Sequence, residues 1–354
     1  MNYSFVRINL APGYSISRII KGGWQLAGGH GAIDEKQAVE DMRFFVEAGI
    51  TTFDCADIYT GVEELIGKFM KKYSSAFKSG ELSPVQIHTK YVPDLNQLPT
   101  LTKSYTEAVI DRSLKRLNVD RLDLVQFHWW DYSIKRYVEV AQHLLELKNA
   151  GKIAHIGVTN FDAQHLKEIL DAGINIISNQ VQYSIIDDRP GKNLLALCRE
   201  YGIILLCYGT LAGGFFSEGY LQSEKIQEPL ENRSLTKYKL IIDDFGGFNL
   251  FQDLLQNLKS IANKYNVGIA EAAIKFIMQK PFAAGVIVGA RSTKHLEKLK
   301  KLESFKLDDD DLNIISRVLA RSKELKGPVY ALERDRSGKH GKIMKYNLNQ
   351  LQLK

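Results

Sequence analysis

A glycine followed by an apolar run recurs along this chain, and it restricts the fold more than any other feature. It occurs in EAGITTFD (47–54), NAGKIAHIGV (149–158), DAGINIISN (171–179) and EYGIILLCY (200–208), each time after a stretch with helical apolar spacing. Gly49, Gly151, Gly173 and Gly202 stand where a helix C-terminus favours a residue tolerant of positive φ. The repeated unit is therefore helix, cap, strand.

Extending the pattern places helices near 35–48, 61–72, 103–117, 136–149, 163–171, 191–200, 251–265 and 294–301. Asp34 and Gln37 form a plausible capping box for the first. Strands fall near 19–24, 50–54, 86–91, 123–128, 153–158, 177–182, 203–208 and 284–288, several as the continuous apolar runs of buried parallel strands. Such alternation folds as a closed barrel or as an open doubly wound sheet. No GxGxxG follows an early strand, which favours a single-domain α/β fold, a (β/α)8 TIM barrel over residues 1–328. Two segments depart from the alternation. The connection 209–250 reads as a functional loop, and 329–354 as a basic C-terminal tail, either packed over a barrel mouth or free.

Composition removes several function classes. The net charge of +6 comes from lysines scattered along helical faces, so nucleic-acid binding is not expected. Cys55, Cys198 and Cys207 form no CxxC pair and no metal-ligand spacing, which points to a reducing cytoplasmic location and no metal site. The opening residues lack a signal-peptide pattern, and nowhere do eighteen apolar residues run together, so neither export nor a membrane span is expected. The oligomeric state is not legible.

In a parallel barrel, functional groups collect at the C-terminal strand ends. Four polar residues stand there: Asp54 after ITTF, Tyr59 in the following loop, Lys90 after VQIHT and His128 after RLDLVQF. Singly, such residues are usually cap, packing or solvated groups. Together they make a coherent set. A phenol titrates near ~10, and a neighbouring ammonium is expected to lower that value. Asp54 would hold Lys90, Tyr59 would supply a proton to a developing alkoxide, and His128 would orient a carbonyl. His88 shares the face of Lys90 and is expected to fill the barrel interior. Cys55 should point outward to the helices.

The segments FDCADIY (53–59), HTKYVPD (88–94), FHWWD (127–131), IGVTNF (156–161), SNQVQYS (178–184) and VGARSTKHL (288–296) resemble, in order, the signatures of the aldo-keto reductase superfamily. The resemblance spans most of the chain. It implies NADPH-dependent reduction of a small-molecule aldehyde or ketone, with the catalytic tetrad on Asp54, Tyr59, Lys90 and His128. It also implies that Asn160 and Gln180, with Asp54, hold the nicotinamide end and that Tyr208 stacks beneath its ring. Gly209, Leu211 and Gly213 would wrap the pyrophosphate, Arg291 and Ser292 would take the 2′-phosphate, and Gly289 and His295 would add cofactor contacts. His295 and Leu299 depart from the Gln and Asn that relatives carry there, and YTGVEELIG departs from the usual segment after the tyrosine.

Trp24 and Trp129 are expected to line the substrate pocket beside Tyr59 and His128, with Trp130 turned toward the helices. Two other readings compete. A Schiff-base lysine at Lys90 leaves Arg291, Asn160 and Gln180 without a role, and a cofactor-binding regulatory or interaction barrel with little turnover leaves the intact tetrad unexplained.

Overall fold

The computed structural model describes residues 5–349. It opens with an antiparallel hairpin, β1 (Arg7–Ala11) and β2 (Tyr14–Ser17). Then follow β3 (Ile19–Gly22), α1 (Glu35–Glu47), β4 (Thr52–Asp54), α2 (Val62–Lys72), α3 (Ser74–Ser79), β5 (Gln86–Tyr91), α4 (Lys103–Leu117), β6 (Leu122–His128) and α5 (Tyr137–Asn149). The second half runs β7 (Ile153–Thr159), α6 (Ala163–Asp171), β8 (Ser178–Gln182), α7 (Asn193–Tyr201), β9 (Ile204–Tyr208), α8 (Arg233–Phe245), α9 (Phe248–Lys264), α10 (Ile269–Met278), β10 (Ala283–Gly289), α11 (Leu296–Lys300), α12 (Asp309–Leu319) and α13 (Ala331–Arg334).

Strands β3 to β10 close in sequence order into a parallel barrel, with β10 pairing back onto β3. The expected (β/α)8 architecture is the one observed. Gly49, Gly151, Gly173 and Gly202 all have φ between 68° and 91°, so the helix-cap-strand unit rests on left-handed caps. Asp34 caps α1 through Gln37 N at 3.1 Å, while the Gln37 side chain turns to Asp41, so the reciprocal half of the capping box is not made.

Registers such as Gly22↔Asp54 and Asp54↔His88 bring the ends of neighbouring strands level. The hairpin, absent from the sequence reading, covers the other end of the barrel. There Leu10 and Ile16 pack with Ile20, Leu124, Ile177 and Leu206. Tyr14 bonds to His88 Nε2 at 3.0 Å, which places His88 in the interior.

The segment 209–250 contains α8 rather than one long loop. The tail, as far as residue 349, lies over the C-terminal mouth; residues 350–354 fall outside the described part. Arg334 Nη2 donates to Trp129 O at 3.0 Å and Asn160 O at 2.9 Å, at the ends of β6 and β7. Further along, buried Asn349 donates from its backbone to Asp94 Oδ1 at 2.8 Å and from its side chain to Asp57 Oδ2 at 2.9 Å. Among the described residues, no helix is long and apolar enough to cross a membrane.

Candidate active site

Four strand ends deliver one buried polar network. Lys90 donates to Asp54 Oδ2 at 2.7 Å and to Cys55 O at 2.9 Å. The other carboxylate oxygen, Oδ1, accepts from Gln180 Nε2 at 2.6 Å and Gln126 Nε2 at 3.1 Å. Alternation along β4, β5, β6 and β8 explains this convergence, since their inward positions share the barrel axis. Gln126 was not singled out in the sequence because a glutamine inside an apolar strand carries no pattern of its own.

The Lys90 ammonium lies 5.0 Å from the centroid of the Tyr59 ring. Burial acts to lower the affinity of Lys90 for its proton, but Asp54 and Tyr59 outweigh it and hold the ammonium above its ordinary value. For Tyr59 the balance differs from the sequence expectation. Burial raises the phenol more than Lys90 lowers it, so its pKa stands above the ordinary value rather than below. The reason is the dry setting, which disfavours a phenolate more strongly than one ammonium favours it.

His128 ends β6 and is 2% exposed. Burial, with Arg334 next in importance, pushes its pKa down to about 3, so the ring is neutral. Its Nδ1 lies 3.2 Å from Thr159 O, a contact that only an Nδ1–H can make. Nε2, buried and without a partner, is then a lone pair.

The residues expected on the nicotinamide side lie together. Tyr208, at the end of β9, donates to Asn160 Oδ1 at 2.8 Å. The bonds in place leave the Asn160 amide nitrogen and the Gln180 amide oxygen, one donor and one acceptor, which is the complement of a carboxamide. The residues therefore fit a nicotinamide end. Lys237 of α8, unmarked in the sequence, sits 5.2 Å from the Tyr208 ring centroid.

Gly209 and Gly213 have φ of 73° and 68°, and a Cβ on either would strike Tyr238 of α8 at 2.4 Å and 2.8 Å. Leu211 lies between them before the short turn Ala212–Gly214. Arg291, Ser292 and His295 are exposed just beyond β10, and Gly289 is the last residue of that strand. Arg291 donates to Ala32 O at 2.8 Å and to His30 O, which ties it to the glycine-rich loop after β3.

Of the tryptophans, Trp24 packs on Tyr59 with centroids 5.0 Å apart and donates to Ser234 Oγ at 2.9 Å. The expectation for Trp129 is corrected. It is fully buried, donates to Asp131 O and Ile134 O, and packs on Phe127 and Tyr137, away from His128. Trp130 instead meets His128 edge-on at 4.3 Å. The alternation of strand β6 continues past its end, so residues 128 and 130 share a side.

The tail completes the wall. Tyr330 lies 5.5 Å from His128 between ring centroids. Glu333, fully buried, pairs with Arg189 at 3.2 Å and Lys237 at 3.4 Å, and Arg189 pairs with Asp187 at 2.7 Å. Among the described residues, no group of three or more His, Cys, Asp or Glu side chains is placed to hold a metal ion.

A buried aspartate and lysine at the strand ends of a (β/α)8 barrel, with a half-buried tyrosine in the following loop and paired amides and a second tyrosine beside them, define an oxidoreductase of the nicotinamide-using barrel type. The chain belongs to the aldo/keto reductase family, whose model matches residues 18–320. Members reduce carbonyl compounds and use nicotinamide cofactors.

Aldo-keto reductase YhdN of Bacillus subtilis is 28% identical over 315 residues, covering 87% of this chain and 91% of that protein. The NADH-specific methylglyoxal reductase of Escherichia coli is 25% identical over 330 residues, covering 85% and 94%. In fold, the chain is similar to glycerol dehydrogenase AKR11B4 of Gluconobacter oxydans, with a TM-score of 0.74, 20% identity and coverage of 92% and 98%.

Proposed function

We propose that this protein reduces an aldehyde or ketone to the alcohol, reversibly, with NADPH as reductant and Tyr59 as general acid. The observation that carries this reading is the line from buried Asp54 and Lys90 to half-buried Tyr59, with a 2.7 Å ion pair and the ammonium 5.0 Å from the phenol ring.

A reduced nicotinamide, when bound, supplies the hydride. Tyr59 supplies the proton. Burial keeps its phenol protonated at neutral pH, and the adjacent ammonium stabilises the phenolate left after transfer. Asp54, held by two glutamine amides, keeps Lys90 from turning away. His128 orients the carbonyl oxygen by donating from Nε2. That requires exchanging the 3.2 Å bond to Thr159, worth about 1 kcal/mol net, for one to substrate.

Asn160 and Gln180 take the carboxamide, and Tyr208 lies under the ring. Gly209, Leu211 and Gly213 face the pyrophosphate, Arg291 and Ser292 the 2′-phosphate, and Gly289 and His295 flank them. A guanidinium beside a hydroxyl suits a phosphate dianion. Trp24 forms the pocket wall on Tyr59. Residues through 328 form the catalytic barrel and the tail from 329 closes it. The three buried free thiols fit a reducing cytoplasm.

The test is an NADPH-consumption screen across aldehydes, ketones, sugars and quinones, run on wild type and Tyr59→Phe together. Wild-type turnover that Tyr59→Phe abolishes supports the reading. Because Tyr330 of the tail packs on His128, which is buried, a second reading is a cofactor-binding regulatory barrel with little turnover. NADPH binding with no carbonyl consumed would select it.

A further inference from the structure

Between the loop after β6 and the tail lies a surface cavity of about 590 Å³, whose lining includes Trp130, Tyr132, Arg334 and Arg336. It adjoins the candidate active site, since Trp130 is the residue that meets His128 edge-on at 4.3 Å. Trp130 is 7% exposed, and its indole Nε1 is buried with no acceptor. The Nε of Arg334 is likewise buried with no acceptor. Both groups can only donate, so whatever satisfies them must bring acceptor atoms.

The charge of Arg334 leads to the same conclusion. Its other bonds go to neutral oxygens: Trp129 O, Asn160 O, Val329 O and the Tyr132 hydroxyl. Its guanidinium carbon lies 4.1 Å from the Tyr132 ring centroid and 5.3 Å from that of Tyr330. No carboxylate among the described residues pairs with it. Among the other charges nearby, Glu333 is met by Arg189 and Lys237 and Arg336 by Asp131, while Asp335, which lines the same cavity, accepts from the neutral hydroxyl and backbone of Ser337. Arg334 is therefore a cation with no ion pair among the described residues, flanked by aromatic faces and sharing its cavity with an unsatisfied indole.

We propose that the substrate carries a carboxylate as well as the carbonyl, and that Arg334 Nε and Trp130 Nε1 receive its two oxygens. This deepens the reductase reading and rests on it. A carboxylate suits the place better than a phosphate, because it is flat like the flanking rings and needs few donors.

The experiment compares kcat/KM for 4-carboxybenzaldehyde with that for methyl 4-formylbenzoate, its neutral ester of similar size, using whichever nicotinamide the enzyme accepts. Wild type should favour the carboxylate by about tenfold or more, the range of a charge-assisted hydrogen bond. Arg334→Met should bring the ratio near one, and Trp130→Phe, which keeps a ring and loses only the N–H, should lower it several-fold. Because each ratio is taken within one variant, changes common to both aldehydes cancel. Should Arg334→Met fail to fold, Arg334→Lys and Trp130→Phe carry the test.

A wild-type ratio of one or less, or a ratio unmoved in the variants, overturns the proposal and leaves the reductase reading standing. If wild type reduces neither these two aldehydes nor any other carbonyl in the screen, both fall. If it reduces other carbonyls but neither of these, the same comparison made with 4-oxobutanoate and butanal decides, on the same criteria.

Discussion

Lys90 and Asp54 form a 2.7 Å ion pair between adjacent barrel strands, with side chains only 6% and 4% exposed. Such a pair stabilises little in itself, because both charges have lost water. Its partners become costly when one is removed. The pair therefore commits the barrel interior to polarity and sets the position of the ammonium beside Tyr59.

Lys90→Met should lower stability by about 3–5 kcal/mol, since it strands a buried carboxylate. The double variant Lys90→Met/Asp54→Leu should recover part of that loss. Urea denaturation midpoints of the two variants against wild type check this, and a double variant no more stable than the single would contradict it.

Tyr59→Phe should remove nearly all carbonyl reduction while leaving nicotinamide binding close to normal. The phenol donates a proton and makes little contact with a nucleotide on this reading. Steady-state rates alongside a fluorescence titration of NADPH test it, and retention of a tenth of the rate would refute the assignment.

Arg291→Ala should weaken NADPH by roughly 2–4 kcal/mol and NADH far less, if the guanidinium pairs with the 2′-phosphate. The relevant measurement is the ratio of the two dissociation constants. Equal losses would instead assign Arg291 to its contacts with His30 and Ala32 alone.

Glu333→Gln should destabilise the tail in a pH-dependent way. Burial acts to raise this carboxyl, but Arg189 and Lys237 outweigh it and hold it at about 2. Its folded pKa is thus below the unfolded value of ~4.3, so its contribution is complete above that value and is lost as pH falls toward 2. The deficit of the variant relative to wild type should be large at pH 7 and shrink in acid. Denaturation at several pH values gives the difference directly, and a deficit independent of pH would exclude the charge as its cause.

Much of the barrel was legible because its signals are local. Each helix carries its own periodicity, and each cap glycine announces a strand. The hairpin and the helices α3, α8, α10, α12 and α13 were not anticipated. The hairpin precedes the repeated unit, and α8 lies in a stretch whose polar residues read as a loop. The neighbouring tryptophans were assigned the wrong way round, although continued alternation from His128 would have placed Trp130 beside it.

The order of strands and the placement of Asp54, Lys90 and His128 at strand ends followed from the sequence alone, because strand alternation and helix capping act over a few residues. The acidity of Tyr59 and the neutrality of His128 were decided only in the folded molecule, since desolvation depends on everything that surrounds a group. The same holds for the closing of the mouth. Glu333 meets Arg189 across 144 residues of chain, and no local pattern specifies a contact made by packing at that separation.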